Sequence, residues 1–153
     1  MHTITSFEDL TPLIGTHLGY SASHQVTQER VDQFAEATGD HQWIHVDPVR
    51  AAAGPFGRTI AHGYLTLALG PVLIHDIVTW ENIRMGVNYG LNKVRFPSPV
   101  PVGATLRLGA MLSGAESLGD DGVQATLELT FEVEGSPKPA CVAELLLRYY
   151  FNK

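Results

Sequence analysis

Asp40, His41, His45, His62 and Gly63 bring a carboxylate, three imidazoles and an unhindered backbone position into one segment, Thr38 to Gly63, TGDHQWIHVDPVRAAAGPFGRTIAHG. A carboxylate beside an imidazole can fix its tautomer and raise its basicity. Asp40 and His45 together could therefore hold and activate one water molecule, and acid/base chemistry of that kind contributes about 10²–10⁴-fold in rate. Gly63 follows His62 where an apolar helix is expected to start. Free N–H groups and the positive dipole end at a helix start favour negative charge, and glycine lets a ligand approach the backbone closely. An oxygen gaining charge would be stabilised there; losing one such donor costs about 10²–10³ in rate in comparable sites.

Each residue also has a plain structural role open to it. Asp40 can satisfy loop N–H groups, and His45 can be a hydrogen-bonded structural histidine. His41 and His45 are four apart, a metal-compatible spacing on a helix. With no HExxH motif, no nearby cysteine and no evident third ligand, no metal is expected. His62 is expected to orient the helix entry, Trp43 to anchor packing, and Thr66 to pack or bond back to its own helix. Cys141 falls on an apolar strand face and reads as a packed thiol. No G-x-S-x-G elbow is present, so a serine nucleophile has no support.

The elements that must position these residues follow from periodicity. Ser6 caps a short helix to about Ile14. Leu18, Tyr20, Ala22, His24 and Val26 alternate as one strand. Thr27 caps a helix through about Ala37, closed by Gly39. On that helix Asp40 and His45 would lie roughly 140° out of phase, at about 100° per residue, so they can converge only if the chain leaves helical geometry between them. Pro48 can start one further helical turn, ended by Gly54-Pro55. From His62 to about Val78 runs an apolar helix, expected to be buried all round and interrupted at Gly70-Pro71. The rest is strand: Ile83 to Phe96 with a bulge near Asn92, then Leu106 to Leu112, Val123 to Val133 and Cys141 to Phe151. Gly119-Asp120-Asp121-Gly122 reads as a hairpin turn, and Pro97, Pro99 and Pro101 forbid ladder pairing. One buried helix followed by antiparallel strands with one apolar face each suggests an α+β fold, a curved sheet wrapped around the helix. Its open edge suggests a homodimer.

The 153 residues suggest a single domain spanning 1–153, long enough to bury roughly 70% of its unfolded surface. A net charge of −6 argues against a nucleic-acid partner. The one cysteine cannot form an internal disulfide. The N-terminal MHTITSFEDL has no cationic start and no apolar run, so no signal peptide is expected and the cytoplasm is the default location. No apolar run approaches the ~20 residues of a membrane span.

Three stretches carry a resemblance. Phe34–His45, FAEATGDHQWIH, resembles the hydratase motif of the MaoC-like dehydratases, the (R)-specific enoyl-CoA hydratases. Ile60-Ala61-His62-Gly63 resembles the family's I-[AV]-H-G, and Val94–Gly103 its R-F-x-x-P-V-x-x-G segment. Where that motif usually has Asn-Pro, this chain has Gln42-Trp43, which looks like the nodulation-protein-N-like branch. The resemblance implies a hot-dog fold, normally dimeric, with Asp40 and His45 as catalytic dyad and the Gly63 N–H as oxyanion donor. The implied reaction is reversible syn addition of water to a trans-2-enoyl-CoA, giving an (R)-3-hydroxyacyl-CoA in fatty-acid metabolism. Coenzyme A is then part of the substrate, and no separate cofactor is expected. Arg50, Arg58, Lys93 and Arg95 are the nearest candidates for its phosphates, each equally suited to a solvated surface.

Three rivals remain at this point. A hot-dog thioesterase would use a carboxylate on the central helix, where only Asp76 is on offer. A dehydratase could act on chains bound to a carrier protein. A binding module could keep the fold without the chemistry.

Overall fold

The computed structural model describes residues 1–119 and 121–153. Its elements run in chain order as β1 (His2–Ile4), α1 (Phe7–Leu10), β2 (Thr16–Tyr20), β3 (His24–Gln25), α2 (Gln28–Thr38), α3 (Trp43–Val46), α4 (Pro48–Ala52), α5 (Gly63–Ala68), α6 (Gly70–Ile74), β4 (Val78–Trp80), β5 (Ile83–Arg95), β6 (Thr105–Ser117), β7 (Gly122–Val133) and β8 (Cys141–Phe151). One antiparallel sheet has the order β2-β6-β7-β8-β5, with β3 also paired to β6. The alternating strands bury one face: Leu106, Leu108, Leu127, Leu129 and Phe131 share a core cluster with Leu65 of α5, Leu73 and Ile74 of α6, and Leu69 between the two helices. The expected α+β arrangement of sheet against central helix is present.

The caps behave as their residue types dictate. Thr27 accepts the Arg30 N–H at 3.2 Å at the start of α2. Gly39 closes that helix at φ 79°, a left-handed conformation that glycine adopts without a Cβ penalty. Asp47 accepts the Arg50 N–H at 3.0 Å, and Pro48 opens α4.

Three expectations need correction. The central helix is interrupted at Gly70-Pro71, as expected, but it is shorter than predicted. It breaks at Leu69, because Pro71 has no N–H to donate, and ends at Ile74; Val78–Trp80 instead pairs in parallel with β1. It is not buried all round: Tyr64 is 74% and Val72 57% exposed, so one side of the helix looks outward. The predicted strand from Leu18 to Val26 is two strands. Between them Ser21 is buried; its hydroxyl accepts the Leu108 N–H at 2.9 Å and bends the chain out of the ladder.

The bulge expected near Asn92 is present, since Leu91 and Lys93 face consecutive residues Leu145 and Glu144. β5 has two more slips, between Ile83 and Met85 and between Asn88 and Gly90. β5 is an edge strand, and Met85, Val87, Tyr89 and Leu91 are exposed on it. In the predicted hairpin turn, Asp120 lies outside the described residues. The flanking strands β6 and β7 pair as expected, and the Gly122 N–H donates to the Gly119 carbonyl at 2.9 Å.

Candidate active site

The left-handed turn at Gly39 takes Asp40 out of α2, and Asp40 Oδ1 then accepts the Gln42 N–H at 3.3 Å. The chain re-enters a helical turn at Trp43, with the His45 N–H donating to the Gln42 carbonyl at 3.0 Å. This departure from the helix removes the phase problem posed by the spacing of five. One carboxylate oxygen of Asp40, one nitrogen of His45 and one nitrogen of His62 all lie within 4.8 Å of one another. Asp40 is exposed, whereas His45 and His62 are buried.

Trp43 supports this turn from behind. It is half-buried, the Arg50 guanidinium stacks 4.3 Å above its ring, and Gly54 packs so closely that a Cβ there would sit 3.0 Å from the indole. The Gln42-Trp43 pair therefore replaces a proline turn with a side-chain anchor.

The protonation pattern at His45 can be assigned from its partner. Its Nδ1 lies 2.7 Å from the Ile60 carbonyl, which can only accept, so Nδ1 carries the proton and Nε2 keeps its lone pair. Burial pushes the His45 pKa below the ordinary histidine value; the Ile60 hydrogen bond opposes that shift, His62 adds to it, and Asp40 opposes it. The result is a neutral base near neutral pH.

Gln28 holds the same histidine from α2 and was not singled out by the sequence. Its Nε2 donates to the His45 backbone carbonyl at 2.7 Å, and its Oε1 accepts the Thr59 hydroxyl at 2.6 Å. An amide 17 residues from His45 carries no local signal of such a contact.

Gly63 is the first residue of α5, where a backbone N–H has no acceptor within the helix. The Phe96 ring covers its Cα side: a Cβ at Gly63 would sit 3.1 Å from that ring. His45, Gly63, Thr66 and Phe96 line one pocket of about 260 Å³, with Ile60 and Val100 on its apolar wall. Asp40 lies outside that lining. A larger groove, about 550 Å³, is lined by Arg107, Thr130, Glu132 and Lys138. It holds no comparable base, and Arg107 is committed to Glu132 at 2.7 Å.

The other candidates fall apart from this pocket. His41 is exposed and 3.6 Å from Glu36, so the pair His41/His45 is not formed. His62 takes the third place beside Asp40 and His45, but its ring stacks on His45 with centroids 3.8 Å and planes 23° apart. Lone pairs lie in the ring planes, so two stacked rings do not aim at one ion, and the set suits hydrogen bonding better than metal ligation. Among the phosphate candidates, Arg50 lies over Trp43, Arg58 donates to the Val102 carbonyl at 3.3 Å, Arg95 donates to the Val94 carbonyl at 2.7 Å, and Lys93 stands opposite Glu144. All four are exposed and none lines the pocket. Asp76 accepts the Ala22 N–H at 3.1 Å and is absent from the pocket, which counts against the thioesterase. Burial raises the Cys141 thiol to about 11, in keeping with a packed, unreactive side chain.

The chain matches the MaoC like domain family over residues 9–133. It is 58% identical to the 3-hydroxyacyl-thioester dehydratase Z of Mycobacterium tuberculosis, across 97% of this chain and 99% of that protein. It is 42% identical to nodulation protein N of Rhizobium leguminosarum, across 99% of this chain and 95% of that one. Among solved structures, an (R)-hydratase of A. caviae involved in PHA biosynthesis superposes with a TM-score of 0.70 at 24% identity, covering 88% of this chain and 94% of its own. A monoamine oxidase regulatory protein from Archaeoglobus superposes at 0.81 with 21% identity, covering 99% and 97%. At those identities the superpositions speak for the hot-dog fold, and the sequence matches for the relationship: the chain belongs to the MaoC-like dehydratase family, in company with nodulation protein N.

Proposed function

We propose that this chain catalyses the reversible syn hydration of trans-2-enoyl thioesters to (R)-3-hydroxyacyl thioesters, with coenzyme A as the carrier and as part of the substrate. The observation that carries it is His45: a buried neutral imidazole with its Nδ1 proton tied to Ile60, its Nε2 lone pair free, and Asp40 beside it, opening on the same pocket as Gly63. Water held by Asp40 and His45 attacks C3, and His45 Nε2 takes one of its protons. The electron pair moves through C2 to the thioester oxygen, where the Gly63 N–H meets the developing charge. The same proton then passes from the dyad to C2 on the same face, so water is added whole and the dyad is regenerated. Dehydration runs these steps in reverse.

The name of the Mycobacterium tuberculosis relative, a thioester dehydratase, supports the class of substrate. Because none of the four candidate cations lines the pocket, delivery on a carrier protein is the second reading. The exposed apolar residues of edge strand β5 support a homodimer that pairs this strand with its copy.

The test gives purified protein short and medium trans-2-enoyl-CoA, and the same chains on acyl carrier protein, following enoyl absorbance and free thiol together. Loss of enoyl absorbance without thiol is the expected result. Thiol release would replace hydration with hydrolysis, and activity confined to the carrier-protein substrates would overturn the coenzyme A assignment.

A further inference from the structure

His62 is a polar residue that is 2% exposed and takes no step in the hydration chemistry. Its Nε2 lies 3.0 Å from the backbone carbonyl of Asp40, 22 residues away in the chain. Its Nδ1 is buried without a hydrogen-bond partner among the described residues. Its ring lies on that of His45 at 3.8 Å, and Phe34 packs against it at 4.9 Å.

Together these contacts select one protonation state. A carbonyl only accepts, so Nε2 carries the proton. A second proton, on Nδ1, would bury an unpaired donor and a positive charge. It would do so against the very histidine that must gain a proton during turnover. Among the described residues, Asp40 and His45 each bring a titratable atom within 4.8 Å of a ring nitrogen of His62. The exposed, hydrated Asp40 carboxylate is a weaker offset to such a charge than a buried partner would be.

We propose that His62 is a positioning residue of the water site: a neutral, Nε2-protonated imidazole that ties the Asp40 backbone to the residue before Gly63 and holds the His45 ring by stacking. The inference rests on Asp40 and His45 being the acid/base pair. Through one side chain, the carboxylate, the base and the oxyanion donor keep their mutual spacing, and misplacement of about 1 Å in such a set can cost about 10²-fold. A neutral ring also presents its π face to His45 when that residue becomes an imidazolium, whereas a charged ring would repel it.

Two substitutions separate the contacts. His62→Phe keeps a ring to stack and removes the donor; His62→Gln keeps an N–H near the Nε2 position and removes the ring. Each is expected to lower kcat about 10- to 100-fold while KM stays within about 3-fold, with unfolding curves confirming that both variants fold. Nitrogen-15 spectra of the histidine rings, recorded without substrate, supply the second readout. In the parent protein His62 is expected to hold one proton, on Nε2, while His45 titrates; in both variants the His45 midpoint moves. Near-parent kcat in both folded variants, a doubly protonated His62 at neutral pH, or an unmoved His45 midpoint would each overturn the proposal. If the parent protein hydrates no enoyl thioester, the acid/base assignment falls, and the ring spectra still decide whether His62 is neutral and holds His45.

Discussion

Replacing Gln28 with alanine removes the amide that joins α2 to both sides of the base. The His45 carbonyl loses a donor at 2.7 Å and the Thr59 hydroxyl an acceptor at 2.6 Å, and both His45 and Thr59 are buried. Each buried polar group left without a partner costs about 1–3 kcal/mol; both bonds are only partly buried, so the lower part of the two-group range applies and Gln28→Ala is expected to destabilise the protein by about 2–4 kcal/mol. At this chain length that corresponds to a fall in Tm of about 5–12 °C. Urea unfolding of the parent, Gln28→Ala, Thr59→Val and the double variant gives the coupling directly. In the Thr59→Val background the hydroxyl is already gone, so Gln28→Ala should cost about 1 kcal/mol less there. Turnover should fall along with stability, because the loop carrying His45 loses its tie to α2. A loss below about 0.5 kcal/mol in Gln28→Ala, or strict additivity in the double variant, would show that the amide is not holding these groups.

Asp40→Asn and His45→Ala should each lower turnover at least about 10²-fold in folded protein; near-parent rates in both would remove the dyad. His45 should leave a pH signature. Its folded pKa lies below 6.5, so kcat/KM should fall on an acid limb whose midpoint lies below pH 6.5. By linkage, the stability contributed by the neutral ring is fully present above the unfolded value, about 6.5, and is lost as the pH falls from there through the folded value; chemical unfolding between pH 5 and 8 would read it. Gly63→Ala puts a Cβ 3.1 Å from the Phe96 ring, so turnover should drop about 10-fold, with partial recovery when Phe96→Leu is added; no recovery would mean that the ring is not what the methyl group meets.

The parts of the fold that the sequence made legible are those set by local rules. Thr27 and Gly39 bracket α2 because cap chemistry is local, and the strict alternation of β7 and β8 leaves a single register. Val78–Trp80 escaped notice because a short apolar run reads equally well as buried helix or buried strand. The break at Ser21 depends on a hydroxyl meeting Leu108 across the sheet, a partner that periodicity does not reveal. In the site, Asp40 and His45 could be paired in advance because Gly39 offers the turn that their spacing requires. Gln28 and the stacked His62 could not, since each acts through a backbone carbonyl far along the chain.

The three slips in β5 bear on how this chain can change length. Leu91 and Lys93 already face neighbouring residues of β8, so deleting Asn92 would leave every flanking pair where it is. β7 pairs with β8 without a slip, and a one-residue deletion there would turn each side chain beyond it to the opposite face. In its pairing with β8, β5 should therefore tolerate the loss of one residue at a slip such as Asn92, whereas β7 should keep its length and change only in composition.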